Sequence, residues 1–340
     1  STEPASGGNG NGGEESTESD WSDGFDTSVL TGDGSSTVFP ITNTGASYWN
    51  SNPEAGDEDY WPSEWAEEYG TDMRLADYFA SEYGYEATGE RSNPPFRVSI
   101  ALSHSGTGIE GVMEERVDIG DASSSAASEL GEDHEELDNF VDHVVGVDGQ
   151  PIVVSREIAD AGLESITIDE LRSIYKGEIT NWSEVGGPER EILALGRAEG
   201  SGTDTAFRNN VYGDPEAPIS PDQRFGQNQQ LQQAVGQADN AIAYIALAFV
   251  EPDGATPPIG LEIDGTLYEY GKNLGAQDYP LSRDLHAYTY EDTNRKEAAF
   301  INFCLSDFGQ EIFVAGNNYF KLPEDRLEAQ REKVAASNYE

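Results

Sequence analysis

A strand-like apolar run, a loop of glycine, serine and threonine, and a helical stretch follow one another three times along this chain, and this order restricts its fold more than any other feature. The three copies are "FRVSIAL" before "SHSGTG", "EILALG" before "GSGT", and "TGDGSSTVFPIT", in which Pro40 lies near the first turn of a helix. Strands that alternate with helices in this way are typical of layered α/β folds. We therefore predict an α/β chain.

The three loops also predict a binding chemistry. Small residues let backbone N–H groups approach a ligand, and the helix that follows adds unpaired amides and the positive end of its dipole, so such a loop suits an anion. One loop carries Arg197, whose planar guanidinium matches a tetrahedral oxyanion. A single loop of this kind is commonly only a structural helix cap. The prediction of an anion site therefore depends on the repetition of the loop beside an arginine.

The charge of the chain limits its partners and its solvent. The sequence has 65 Asp and Glu against 19 Lys and Arg, a formal net charge of −46. No basic stripe exists to displace counterions from a nucleic acid, so nucleic acid is excluded as a partner. We interpret the charge as an adaptation to high salt, which screens carboxylate repulsion; the alternative is an acidic protein of ordinary cells.

Cofactors and metals are not indicated by the sequence. Cys304 is the only cysteine, so no disulfide framework or cysteine-built zinc site can form. The four histidines show no metal-ligand spacing. No apolar run approaches the roughly 20 residues that a membrane span needs. Residues 1–27, acidic and rich in glycine and serine, are predicted to be a flexible tether, and residues 52–70 a surface insertion without assigned function.

Several longer stretches resemble the extracytoplasmic phosphate-binding proteins of ABC transporters, the PstS family. The "GEITNW" and "YPLSR" signatures are more specific than the glycine loops. The stretches that carry the resemblance are "GSSTVFPI", "SGTGIEGV", "VDIGDAS", "LRSIYKGEITNWSEVGG", "GRAEGSGT", "AIAYIALAFV", "YPLSRDLHAY" and "FINFCLSDFGQE".

This resemblance implies a two-lobed periplasmic-binding-protein fold of the type II kind, in which each lobe is a doubly wound mixed sheet with flanking helices. Lobe one would comprise 28–142 and 283–340, lobe two would comprise 143–282, and the ligand would lie in the cleft. The implied function is that of a monomeric binding subunit without enzymatic activity, which captures inorganic phosphate outside the membrane and delivers it to a transmembrane permease. A lipid anchor upstream of Ser1 would hold the tether.

The resemblance also implies a set of ligand residues. Glu199 would brace Arg197, and Asp121 would support the site. The residues expected to bind phosphate are Ser36, Thr37, Val38, Ser105, Ser124, Arg197, Ser201, Gly202 and Thr203.

One departure from the family pattern bears on the choice between anions. Ser124 stands where some members have an aspartate and others an arginine, and an aspartate there can accept the proton of hydrogen phosphate. We expect phosphate to be preferred over sulfate through another carboxylate, namely Asp121, Asp33 or Glu199. Two alternatives stay open: a binding protein for sulfate, molybdate or another oxyanion, and a phosphatase that uses Ser105 or Ser201. Neither serine lies in a G-x-S-x-G elbow.

Overall fold

The computed structural model describes residues 25–276 and 278–340. The strands are β1 (Leu30–Gly34), β2 (Val98–Ile100), β3 (Ile119–Ala122), β4 (Phe140–Gly149), β5 (Ile152–Val154), β6 (Ser165–Thr167), β7 (Leu193–Arg197), β8 (Gln223–Phe225), β9 (Ala241–Tyr244), β10 (Pro258–Ile263), β11 (Thr266–Tyr268) and β12 (Ser282–Tyr290). The α-helices are α1 (Phe39–Ser51), α2 (Ser63–Glu68), α3 (Leu75–Ser81), α4 (Ser105–Met113), α5 (Ala126–Leu130), α6 (Arg156–Asp160), α7 (Ile168–Tyr175), α8 (Gly202–Tyr212), α9 (Asn228–Gln237), α10 (Arg295–Leu305), α11 (Asp307–Gly309) and α12 (Glu324–Lys333).

These strands form two mixed sheets, one in each lobe. The first has the order β2-β1-β3-β12-β4, and the second has the order β11-β10-β5-β9-β7-β8, with β6 paired to β10. In the first sheet β1 runs parallel to β2 and β3, whereas β12 runs antiparallel to β3 and β4. The predicted α/β class is confirmed.

The chain changes sheets at two places. Strand β4 pairs with β12 along its whole length, from the Phe140 and Tyr290 pair to the Gly149 and Ser282 pair. The chain therefore leaves the first sheet after Gly149 and returns to it at Ser282. The predicted first boundary, between 142 and 143, falls inside β4, because a single long strand carries the chain up to the crossing.

The prediction of a flexible tether over residues 1–27 needs one correction. Residues 1–24 lie outside the described residues, but 25–27 contact lobe one. The Phe25 ring packs edge-on against Tyr85, with 5.4 Å between ring centroids, and the Asp26 carboxylate lies 2.9 Å from Lys296 Nζ. The Phe25 ring and the Asp26 ion pair hold this segment against lobe one. The small, polar residues beside them in the sequence led to the prediction of a tether.

The segment predicted to be a surface insertion is part of the core of lobe one. Trp61 is fully buried and packs edge-on against Phe308, with 5.3 Å between ring centroids, and its Nε1 donates to the Met73 carbonyl. Tyr69 packs edge-on against Phe79, and its hydroxyl accepts a hydrogen bond from the Phe308 amide. The acidic residues between these rings face solvent. Their charge is the reason why the sequence predicted a surface insertion.

Within the described residues, no helix combines the length and the apolar character needed to cross a bilayer. The same residues include no group of three or more His, Cys, Asp or Glu side chains arranged to hold a metal ion. Cys304 is a buried free thiol on α10.

Candidate anion-binding site

The three loops singled out in the sequence, and a fourth after β3, each follow a strand and precede a helix. Strand β1 leads to α1, β2 to α4, β3 to α5 and β7 to α8. In an α/β sheet, ligands bind outside the carboxyl ends of parallel strands, where the N-termini of the following helices meet. The described contacts bring these four loops together between the two lobes.

The lobe-one side of the cleft is a cluster of buried hydroxyls. Ser35, on the loop after β1, donates through its Oγ to Ser123 Oγ at 3.0 Å and accepts from the Thr37 amide at 3.1 Å. Ser105, the first residue of α4, has its Oγ 3.2 Å from Ser123 Oγ and accepts from the Ser123 amide at 3.0 Å. Ser36, Thr37, Val38 and Ser105 are all buried. The predicted lobe-one residues thus share one small polar pocket.

The lobe-two side is built on the start of α8 and the end of β7. Ser201 caps α8 by accepting from the Asp204 amide, and Thr203 is buried in the first turn. Arg197, the last residue of β7, donates to the carbonyls of Phe225 and Gly226 at 3.2 and 2.8 Å. These two carbonyls hold the guanidinium at the cleft.

Direct contacts join the two sides. The hydroxyls of Thr37 and Thr203 lie 2.8 Å apart, and Arg197 donates to Ser36 Oγ at 3.1 Å and to Thr203 Oγ1 at 3.2 Å. The Gly106 amide donates to the Gly200 carbonyl at 3.3 Å. Residues that are 161 and 166 positions apart in sequence therefore meet, and the lobes are in contact.

Arg197 is a buried cation without a counter-charge of its own. Its residue exposure is 1%, and no carboxylate of the described residues forms an ion pair with it. The Asp204 carboxylate, in the first turn of α8, is engaged by Arg208 and Arg224 at 2.9 and 3.1 Å. Burial lowers the pKa of Arg197 to about 10, which leaves it charged at neutral pH. Such a group calls for an anion, because burying an unpaired charge is costly.

Sequence reasoning missed two further members of this pocket. Arg283 donates through one terminal nitrogen to the hydroxyls of Thr37 and Thr203, both at 3.2 Å. Asn228, at the start of α9, donates through Nδ2 to Ser36 Oγ and Thr37 Oγ1, both at 3.0 Å. The "YPLSR" signature contains Arg283 and could have indicated it, but the sequence analysis gave that stretch no ligand role. No signal in the sequence marked Asn228.

The supporting carboxylates are not where they were predicted. Glu199 is exposed, and backbone carbonyls hold Arg197 instead, so the expected bracing is wrong. Asp121 is buried beneath α1, where its Oδ2 accepts from Thr42 Oγ1 at 2.7 Å, and burial raises its pKa to about 7. Asp33 accepts from Ser103 Oγ at 2.7 Å. A loop sequence does not show on which side of a strand its carboxylate points.

Ser124 lies on the cleft, but its hydroxyl is engaged. Its Oγ donates to Glu129 Oε1 at 2.5 Å. Burial raises the pKa of Glu129, and the Thr205 hydroxyl and the Arg208 charge of α8 oppose that rise. A lobe-one carboxyl group thus faces the first turns of the lobe-two helix.

The arrangement can hold an anion but lacks the pairing of a serine nucleophile. The Ser105 hydroxyl bonds to Ser123, and the Ser201 hydroxyl caps α8. His104 precedes Ser105, yet its Nδ1 has no hydrogen-bond partner among the described residues, and burial lowers the pKa of the ring. A serine hydrolase needs its base within hydrogen-bond reach of the nucleophile. The geometry favours binding.

Relatives of the chain identify its family. Residues 79–307, more than half of the chain, match a family described as a PBP superfamily domain. A phosphate-binding protein PstS of Bacillus subtilis (strain 168) is 30% identical over 237 residues, which are 69% of this chain and 74% of that protein. The chain belongs to the PstS family. A second PstS, from Staphylococcus haemolyticus, is 24% identical over 243 residues, covering 69% of this chain and 75% of that protein.

Solved structures extend the likeness to the fold of the PstS family. A putative phosphate ABC transporter substrate-binding protein from Clostridium perfringens, with bound phosphate, has a TM-score of 0.63 at 22% identity and covers 87% of this chain and 100% of its own. An ABC-type phosphate transport receptor from Vibrio cholerae has a TM-score of 0.57 at 21% identity, with 86% and 100% covered. The two-lobed binding-protein fold expected from the motifs is confirmed.

Proposed function

We propose that this chain is the substrate-binding subunit of an ABC transporter and that it captures inorganic phosphate. The observation that carries the proposal is Arg197, a cation buried between two lobes, surrounded by hydroxyl groups and without a carboxylate partner among the described residues. Charge-assisted hydrogen bonds in a dry cleft bind a tetrahedral anion strongly. The names of the Bacillus and Clostridium relatives support phosphate as that anion.

The proposed ligand set follows from the residues around this cation. Arg197 would supply the charge, while hydroxyls and helix-start amides of both lobes would supply the remaining hydrogen bonds. The proposed ligands are Ser36, Thr37, Val38, Ser105, Ser124, Arg197, Ser201, Gly202 and Thr203. Because they come from both lobes, anion binding would favour the closed arrangement, which a permease would then recognise.

The place of action follows from the family rather than from the site. PstS-family membership supports an extracytoplasmic protein that works with a transmembrane permease, and we propose that it does so as a monomer. We further propose that the chain is tethered to the outer face of the membrane by a lipid anchor upstream of Ser1. Mass spectrometry of the protein isolated from its native membrane tests the anchor, because an unmodified N-terminus would contradict it.

Calorimetric titration with phosphate, sulfate and arsenate in molar salt tests the proposed ligand. We expect phosphate to bind with a stoichiometry of one and sulfate to bind more weakly. Binding of sulfate without binding of phosphate would replace phosphate with another oxyanion. Incubation with a chromogenic phosphate ester tests the phosphatase alternative. That alternative requires turnover of the ester by the wild type and loss of the turnover in Ser105→Ala or Ser201→Ala.

A further inference from the structure

Arg283 lies where the chain passes from one lobe to the other. The β4–β12 ladder ends with the pairs Asp148–Arg283 and Gly149–Ser282, and beyond them the chain enters lobe two on both sides. The side chains of the first pair form an ion pair, with Asp148 Oδ2 at 2.8 Å from Arg283 Nε and at 2.7 Å from a terminal nitrogen. The exposed fractions are 0% for Asp148 and 7% for Arg283. This pair therefore lies at the crossing between the lobes, which we call the hinge.

The Arg283 fork also faces the cleft. Its Nη2, the terminal nitrogen that pairs with Asp148, reaches Thr37 Oγ1 of lobe one and Thr203 Oγ1 of lobe two, and its Nη1 donates to the Ser123 carbonyl at 3.5 Å. Arg197 also donates to Thr203 Oγ1, at 3.2 Å. Two guanidinium groups, one from β7 and one from the hinge, thus converge on one hydroxyl. Like charges this close repel each other, and an anion between them removes the repulsion.

Asp148 fixes the orientation of the hinge arginine. Its second oxygen, Oδ1, accepts from the Leu247 amide of lobe two at 3.0 Å, so both carboxylate oxygens are engaged. A carboxylate held in this way restricts the guanidinium of Arg283 to one orientation. Asp148 offsets the charge of Arg283 and leaves that of Arg197 for the ligand.

We propose that Arg283 is a second anion ligand, carried by the hinge, and that Asp148 is the residue that positions it. The inference rests on the proposed function, because it takes phosphate as the anion. It differs from a purely structural ion pair in one respect: the guanidinium contributes hydrogen bonds to phosphate in addition to those it makes with the protein. The hinge would then sense the ligand directly, since one of its own side chains binds it.

Phosphate titrations of four variants in molar salt test this proposal, with folding checked by circular dichroism. The decisive variant is Asp148→Asn/Arg283→Met, which removes both buried charges, leaves the net charge at −46 and leaves no buried carboxylate unpaired. Arg283→Met removes the cation alone, and Arg283→Lys keeps the charge but loses the fork. Arg326→Met is the matched control, because Arg326 forms a partly exposed pair with Asp284 on the same strand.

We expect the double variant and Arg283→Met to bind phosphate about tenfold to a hundredfold more weakly, the range for losing one charge-assisted hydrogen-bond donor. Arg326→Met should bind like the wild type, and Arg283→Lys should be intermediate. A folded double variant with wild-type affinity would overturn the proposal, because Arg283 would then be only a partner for Asp148. If the double variant does not fold, the lysine variant decides. Wild-type affinity in Arg283→Lys would then overturn the proposal, because the guanidinium fork would not be needed. A wild type that binds no phosphate would instead overturn the proposed function.

Discussion

At the scale of single residues, Arg197 should dominate the binding free energy. Arg197→Ala is expected to cost about 2–5 kcal/mol of phosphate binding, as truncation of one partner in a buried charged contact does. Lysine should restore part of the loss, because it keeps the charge without the planar fork. Calorimetry measures the difference. Arg190→Ala, which removes a partly exposed arginine near Asp239, controls for the change in net charge, and equal affinities in the two variants would contradict the site.

The choice between phosphate and sulfate depends on a proton, since the two anions share shape and charge while hydrogen phosphate carries a donor. The Ser124 hydroxyl gives its only proton to Glu129 at 2.5 Å, so towards a ligand it can act only as an acceptor. Sulfate has no proton to offer such a group, and an unpaired buried acceptor is costly. We therefore expect this pair, rather than Asp121, Asp33 or Glu199, to favour phosphate over sulfate.

Glu129→Ala should therefore weaken selectivity more than affinity. Without its acceptor, the Ser124 hydroxyl can turn and donate to sulfate, so the phosphate-to-sulfate affinity ratio should fall about tenfold or more. Competition titrations measure the ratio. Asp121→Asn and the exposed-site change Glu132→Ala are the controls and should leave it unchanged. A ratio that moves in Asp121→Asn but not in Glu129→Ala would restore the original assignment.

At the scale of elements, closure requires the start of α8 to fit against the starts of α4 and α5. Gly202 makes this possible: a Cβ atom there would lie 2.0 Å from Ser105 Oγ and 2.4 Å from Ser123 Oγ, both in lobe one. Gly202→Ala should leave each lobe folded and weaken phosphate binding by at least about tenfold, because the lobes cannot meet. Phosphate titration and the radius of gyration from X-ray scattering, with and without phosphate, measure the effect.

Gly106→Ala is the matched control for that substitution. Gly106 lies at the same interface, but a Cβ there would meet Glu129 and Gly200 at 3.4 and 3.5 Å, which is ordinary contact. We expect this variant to bind phosphate like the wild type and to compact on binding. Normal compaction of Gly202→Ala would mean that the lobes close without the close approach seen at α8.

Local sequence patterns predicted the strands, loops and helices. They could not predict contacts between residues that lie far apart in the sequence. The loops after β1, β2 and β7 were recognisable because a strand, a glycine-rich loop and a helix are adjacent in sequence. The place of Arg283 was not, because it depends on the ladder with β4, 135 residues away from its partner Asp148. Burial of Trp61 depends in the same way on Phe308. Composition around a residue describes its neighbours in sequence, whereas burial depends on its neighbours in space.

At the scale of the whole molecule, the net charge of −46 sets the conditions under which the cleft works. The 19 cationic side chains are too few for 65 carboxylates, and several of the arginines are committed to the site and its support. The remaining carboxylates repel one another and repel an incoming anion. Both effects act through solvent, so both weaken as the Debye length falls to roughly 3 Å in about 1 M salt.

Phosphate affinity should therefore survive or improve as KCl rises from about 0.1 M towards molar concentration, whereas a cationic phosphate site on a neutral protein weakens. Low salt should also lower the melting temperature, because carboxylate repulsion opposes the compact state. Titrations at each KCl concentration, with circular dichroism to establish that the fold is constant, measure the dependence. A neutral osmolyte at matched osmolality is the control, since it changes water activity without screening. A steep loss of affinity with KCl at constant fold would show that attraction by Arg197 and Arg283 outweighs the repulsion of the surface.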